Sequence, residues 1–184
     1  MLKALANAFR VPELRNKILF TLGIILLYRV GSYLPLPGIP FGELAAQFDA
    51  ANDGMANTMA LLNLFSGGAL SNVSLFSLGI MPYITASIIM QMMQAVIPGL
   101  RTLAREGESG QRKITQYTRY LTVALSVINA FGYLLLFRSP SFGIDFSVTG
   151  ASEPVINEMI VFGFVVGAIL IMWMGELITQ RGIG

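Results

Sequence analysis

Cysteine and histidine are both absent from this 184-residue chain. Without them there is no disulfide, no thiol nucleophile, no zinc site of the common kinds and no imidazole base. Charge is scarce too: Asp, Glu, Lys and Arg supply 12% of the residues, against about 25% in soluble domains. The hydrophobic share is 54% and the mean hydropathy is +0.67. So few charges cannot cover a water-facing surface, which makes lipid the natural solvent of this chain. A formal net charge of +2 is too small to imply a nucleic-acid partner.

Ionisable groups are also missing where a proton-coupled transporter would need them. Glu158 and Glu176 bracket opposite ends of one apolar run and leave its middle uncharged. The segment EGESGQRK, Glu106 to Lys113, lacks the spacing of a phosphate loop. The sequence therefore offers no catalytic residue, no metal ligand set and no cofactor site, and the chain is read as not an enzyme.

What is present is a set of long apolar runs. Crossing hydrocarbon takes about 20 apolar residues in a helix. Four stretches come close: 18–34, 73–97 with Pro82 inside it, 117–137, and 155–175. Ten of the twelve Lys and Arg residues lie before the first run, between the second and third or at the start of the third, or after the fourth. The positive-inside rule makes that side cytoplasmic and places both chain ends there. Arg29 falls inside the first run, and snorkelling to the outer interface accounts for it more simply than a buried ion pair.

Residues 1–17 alternate Leu2, Leu5, Phe9 and Leu14 with Lys3, Arg10 and Arg15, the pattern of an amphipathic helix on the cytoplasmic lipid surface; a solvated tail is the alternative. Residues 61–71 are apolar yet half the length a bilayer requires. Backbone cannot sit unpaired in lipid, so this piece is either a re-entrant half-helix broken at Gly67-Gly68 or an interfacial helix.

Polarity is organised along the second run. Ile80, Ile84, Ser87, Gln91 and Gln94 share one narrow helical face, branched and apolar at one end, amide and hydroxyl at the other. An apolar constriction above a polar vestibule is how a hydrophobic gate is built, although ordinary packing also fits the two isoleucines. Pro82 marks a possible kink beside it. In the third run Thr122, Ser126, Asn129 and Tyr133 form a stripe continued by Arg119 and Thr115. Gly163 and Gly167 make a GxxxG pair for close helix approach.

The segments LLNLFSGGALSNVSLFSLGIMPYITASIIMQ (61–91), EGESGQRKITQYTRY (106–120) and MWMGELITQRGIG (172–184) are similar to the SecY family of bacteria, and YRVGSYLPLPGI (28–39) resembles the end of that family's first span. The resemblance implies an all-α membrane fold: four transmembrane helices plus a re-entrant plug half-helix, the first part of a ten-helix pseudo-symmetric channel.

It further implies a polypeptide channel whose plug includes Asn63, Leu64, Phe65, Ser66, Gly67, Gly68, Ala69 and Leu70, and whose apolar pore ring includes Ile80 and Ile84. Thr85, Ser87, Gln91 and Asn129 match the lateral gate or funnel. Residues 98–116 would be a cytoplasmic loop whose Arg101, Arg105, Arg112 and Lys113 meet partners, and 176–184 would begin the next. The implied partners are SecE and SecG, the SecA ATPase or a ribosome, a signal sequence and translocating polypeptide, membrane lipid, and the remaining carboxy-terminal half of the channel. The implied location is the bacterial plasma membrane. A chain holding only the first half of such a channel is expected to be a fragment or one part of a split protein. The competing reading is a non-conducting four-helix membrane scaffold packed through Gly163 and Gly167.

Overall fold

A computed structural model describes residues 12–36, 53–138 and 153–182. Most of the expected amphipathic segment over 1–17 and most of the outer loops lie outside them. The described residues form six helices: α1 (Pro12–Gly31), α2 (Asp53–Phe65), α3 (Met81–Val96), α4 (Pro98–Arg105), α5 (Glu108–Phe137) and α6 (Glu153–Arg181). Among them the only strand-like pairing is a single antiparallel bridge between Pro35 and Ser74. By length and composition α5 and α6 can each cross a membrane, and α3 with α4 makes a third candidate bent by 101°. Helix α1 has 20 residues, about 30 Å of helix, with Leu19, Leu22, Leu26 and Leu27 more than half exposed as on a lipid-facing surface.

Several boundaries differ from the sequence expectations, each for a local reason. The first run continues to residue 34, but α1 stops at Gly31, where an added Cβ would collide with the Phe76 ring. The second run begins at 73, yet α3 begins at Met81. Pro82 therefore sits in the first helical turn, where its missing N–H leaves no bond unmade, and it kinks nothing. At the far end Pro98 forces Ile97 into extended geometry (ψ 115°), which ends α3 and turns the chain into α4. Within residues 98–116 the chain forms α4, a short turn and the first turns of α5. Gly107 opens α5 at φ +78°, a conformation that only glycine adopts freely.

Residues 66–80 are the least expected part. They form consecutive turns, not helix, and they are mostly buried. Ala69 and Leu70 are fully enclosed, and Val73, Phe76 and Leu78 are nearly so. Leu70, Val73 and Leu78 pack with Ala130, Leu134, Phe137, Ile156, Ile160 and Phe164 of α5 and α6. Ala69 and Phe76 pack with Ile24, Ile171 and Met174. The thread therefore fills the space between α1, α5 and α6.

A non-helical backbone survives in an apolar interior only where its polar groups find partners. Here Leu36 N–H donates to the Val73 carbonyl (3.1 Å) and Leu75 N–H to the Leu34 carbonyl (3.0 Å). Side chains supply more. The Ser66 hydroxyl accepts from Leu70 N–H (3.1 Å), and the Ser77 hydroxyl is shared between the Ser74 and Ala69 carbonyls (2.7 and 3.0 Å). Ser66, Ser71 and Ser77 are thus internal hydrogen-bonding partners for an irregular backbone, whereas the buried Ser74 hydroxyl has none among the described residues.

The GxxxG pair on α6 has a partner other than a helix. A Cβ on Gly163 would collide with the Leu36 side chain, and one on Gly167 with the Leu75 carbonyl oxygen. Small residues do permit close approach here, but what approaches is the extended chain around the Pro35–Ser74 bridge.

Candidate functional site

The site runs along α3, whose start lies against the end of α2 and whose later turns lie against the first turns of α5. Helix α2 ends in a Schellman motif: Gly68 N–H donates to the Asn63 carbonyl (2.9 Å) and Gly67 N–H to the Leu64 carbonyl (3.1 Å). Gly67 and Gly68 hold φ +63° and +85°, which side-chain-bearing residues rarely accept. The glycine pair therefore terminates α2 and does not interrupt a longer half-helix. The Asn63 side-chain Oδ1 accepts a further bond from Ser71 N–H (3.1 Å), closing the turn. Of the other residues matched to a plug, Leu64 and Phe65 are exposed, whereas Ser66, Ala69 and Leu70 belong to the buried thread.

Ile80 caps α3, and Ile84 lies one turn further on. Both are partly exposed, at 37% and 41%, on the face opposite Pro82, Ala86 and Met90, which are buried. Among the described residues Ile84 lines none of the cavities formed with the other helices, whereas Ile80 is turned partly toward the end of α2. Ile80 also shares a cavity of about 230 Å³ with Phe65, Tyr28, Ile24, Ile171 and Met174. The preceding Gly79 would place a Cβ 3.2 Å from the Phe65 carbonyl. The matched plug residue Phe65 and ring residue Ile80 are therefore neighbours across a tight backbone contact.

Further along α3 the surface turns polar. Ser87, Gln91 and Gln94 line a recess of about 170 Å³ with Tyr83 and, from α5, Gln111, Thr115 and Thr118. Gln91 Nε2 donates to Ser87 Oγ at 3.4 Å, so the amide is loosely held. Thr85 is exposed on α3, outside this recess.

The α5 stripe expected over Thr122, Ser126, Asn129 and Tyr133 is rotated in the structure. The buried face runs Thr118, Thr122, Ser126, Ala130 and Leu134, while Asn129 is exposed. Thr122 and Ser126 are fully enclosed and donate back to their own helix, to the Thr118 and Val123 carbonyls at 2.8 Å. Their hydroxyls are thus satisfied within the helix, and the polar recess involves only the first turns of α5.

Two contacts escaped the sequence. Arg119 Nε donates to Glu176 Oε1 at 2.8 Å, and its Nη2 donates to Oε2, a bidentate pair joining α5 to α6. Glu176 is 8% exposed. Nothing local announces this pair, because its members lie 57 residues apart. Arg29 is the second case. It forms no ion pair among the described residues; its guanidinium donates to the Gly67 carbonyl (3.0 Å) and the Tyr33 hydroxyl (3.1 Å) and lies 5.2 Å from the Tyr33 ring centre.

Arg101, Arg105, Arg112 and Lys113 are exposed on α4 and the first turns of α5. Arg112 pairs with Glu108 (2.8 Å) with both side chains about four-fifths exposed, a contact of little energetic weight. Their common feature is a basic surface on one end of the bundle.

An all-helical bundle with at least two bilayer-length apolar helices and an irregular thread sealed between them defines a multi-pass membrane protein. The SecY family model matches residues 74–184, and the chain belongs to that family. The whole chain aligns at 47% identity with the protein translocase subunit SecY of Streptomyces coelicolor and at 46% with that of Mycobacterium tuberculosis. It spans 43% and 42% of those relatives' lengths. Among solved structures, Sec61 in the canine ribosome-channel complex from the endoplasmic reticulum superposes with a TM-score of 0.61, over 92% of this chain and 34% of that one, at 19% identity. At that identity the superposition speaks for the fold alone.

Proposed function

We propose that the chain is the amino-terminal half of the central subunit of a protein-conducting channel. In this reading α1, α3, α5 and α6 are its four spans, and α2 with the turn at 66–70 is the plug. Ile80 and Ile84 form part of the pore ring. The observation that carries the reading is the composition of α3 along its exposed side. Two isoleucines lie beside the end of α2, and a polar recess of Ser87, Gln91 and Gln94 follows within three turns. Aliphatic side chains seal a narrow waist against ions yet yield around a passing chain, because they make no directional bonds to it. The polar recess beneath keeps an emerging polypeptide solvated.

The family membership supports the remaining assignments. The more exposed side of α3 faces the carboxy-terminal half of the channel, and signal sequences leave laterally past Thr85 and Ser87. SecE and SecG complete the complex. The SecA ATPase or a ribosome supplies the driving force, docking on the basic surface of Arg101, Arg105, Arg112 and Lys113. Both chain ends are cytoplasmic in a bacterial plasma membrane, the side on which the basic residues gather. Asn129, exposed on α5, faces lipid or a partner and not the recess.

Photocrosslinking residues placed at positions 80 and 84 of the full-length channel are expected to capture a stalled secretory chain, with position 88 as the comparison. Capture at 88 alone would remove the isoleucines from the pore. Cysteines placed at Gln91 and Gln94 are expected to react with a membrane-impermeant thiol reagent added from the cytoplasmic side. In a packed four-helix scaffold these positions stay shielded, so protection at both would favour that alternative.

A further inference from the structure

The end of α2 is held by two consecutive side chains of α1. The Tyr28 hydroxyl donates to the Ser66 carbonyl (2.8 Å), and the Arg29 guanidinium donates to the Gly67 carbonyl (3.0 Å). These carbonyls lie at the cap of α2 and the residue after it, beyond the helical N–H groups; that of Ser66 also accepts from Ala69 N–H (3.2 Å). The glycine turn is shaped to the clasp: a Cβ at Gly67 would lie 3.0 Å from Tyr28 Oη, and one at Gly68 would lie 4.0 Å from the Arg29 nitrogen.

Each arm is itself fixed. Tyr28 stacks on the buried Phe76 ring, with centroids 5.4 Å apart and planes 4° from parallel. Arg29 is braced by Tyr33 through a hydrogen bond and its ring face. Phe76 belongs to the buried thread that continues into α3, so the tyrosine arm is anchored in the core and cannot follow α2 outward. Two fixed donors thus meet adjacent carbonyls at the glycine turn that ends α2.

We propose that Tyr28 and Arg29 are positioning residues that clasp the hinge of α2 and hold the plug in its closed position, so that opening requires both bonds to be exchanged. The proposal rests on the reading of α2 as the plug. It also gives Arg29 a task that snorkelling does not. A snorkelling cation needs only charge and reach, whereas a clasp needs a donor aimed at one carbonyl.

The test is the resting ion conductance of the full-length channel in planar bilayers. Arg29→Gln, which removes the charge-assisted bond, is expected to raise it about tenfold, and Tyr28→Phe, which removes one neutral bond, about fivefold. Arg29→Lys keeps a charged donor and is expected to stay within about twofold of the unaltered channel. Tyr28→Phe loses only a hydroxyl and keeps its stacking, so it reports even where the arginine variants assemble poorly. Deletion of residues 53–62, which spares the buried Ala69 and Leu70, separates the two layers of the reading. If that deletion raises conductance and neither Tyr28→Phe nor Arg29→Gln does, the clasp is wrong and the plug stands. If none of the three raises it, the plug assignment fails and the clasp with it.

Discussion

Alanine in place of Gly167 is expected to destabilise the protein by about 3 kcal/mol, whereas the same change at Gly175, two turns further along α6, alters stability by no more than about 0.5 kcal/mol. Both glycines lie in the middle of the same helix, so propensity favours alanine equally at each. They differ in what the new methyl meets. At Gly175 nothing lies within 4 Å, while at Gly167 the methyl would overlap the Leu75 carbonyl oxygen and lie 2.7 Å from its carbon. That carbonyl has little room to retreat. Leu75 N–H is tied to the Leu34 carbonyl at 3.0 Å, and the flanking Ser74 is bridged to Pro35.

Gly163 is an intermediate case, because its methyl would meet the end of the flexible Leu36 side chain and not backbone. The expected order of loss is therefore Gly167, then Gly163, then Gly175, read as thermal midpoints of the purified full-length channel in detergent. A GxxxG pair serving helix–helix association would give nearly equal losses at 163 and 167 and would change the oligomeric state. Equal losses would thus overturn the assignment of the extended chain as the partner.

That contrast shows what the sequence could and could not convey. The apolar centres of α3, α5 and α6 were legible because lipid and core both demand long apolar runs, and length alone separates them from α2. The glycine pair at 67–68 was legible as a break, since positive φ is nearly a glycine property. The start of α3 was less plain. Residues 73–80 are largely apolar and run on through Met81 without a period that distinguishes helix from buried thread; Pro82, favoured in a first helical turn, is the local mark of where α3 starts. A second signal is the serine set at 66, 71, 74 and 77, too many hydroxyls for a lipid-facing helix and suited to an irregular backbone.

The rotated stripe on α5 has a different cause. The spacing i, i+4, i+7, i+11 puts Thr122, Ser126, Asn129 and Tyr133 on one stripe, yet Thr122 and Ser126 are buried, Tyr133 is half-buried and Asn129 is exposed. The packed face continues through Ala130 and Leu134, because α6 and the thread approach there, and Asn129 is left one residue round the helix. Which way a helix faces is decided by its neighbours, and a single sequence does not hold their positions. For the same reason Ile80 and Ile84 share one face of α3 by spacing alone, but that this is the more exposed face emerges only from the packing of Pro82, Ala86 and Met90 on the other.

The ion pair between Arg119 and Glu176 is expected to respond unequally to removal of its two members. Glu176 is almost enclosed, and its carboxylate is held by both arms of the guanidinium, whereas the Arg119 side chain is 46% exposed. Arg119→Ala leaves a carboxylate confined without a counter-charge, a situation that costs about 3 to 5 kcal/mol in buried pairs. Glu176→Ala leaves a cation that can turn toward solvent or lipid headgroups, so its loss should be nearer 1 kcal/mol. Replacing both with methionine removes the desolvation of two charges and keeps apolar bulk between α5 and α6, and is expected to restore most of the stability lost in Arg119→Ala. A double-mutant cycle on thermal midpoints measures the coupling, expected at about 1 to 3 kcal/mol. Equal losses for the two single alanine variants, with no recovery in the double methionine variant, would mean that the pair is held by its neighbours and does not itself fasten α5 to α6. The asymmetry follows from burial alone. The pair ties α5 to the last turns of α6, and of its two charges only the carboxylate has nowhere to go.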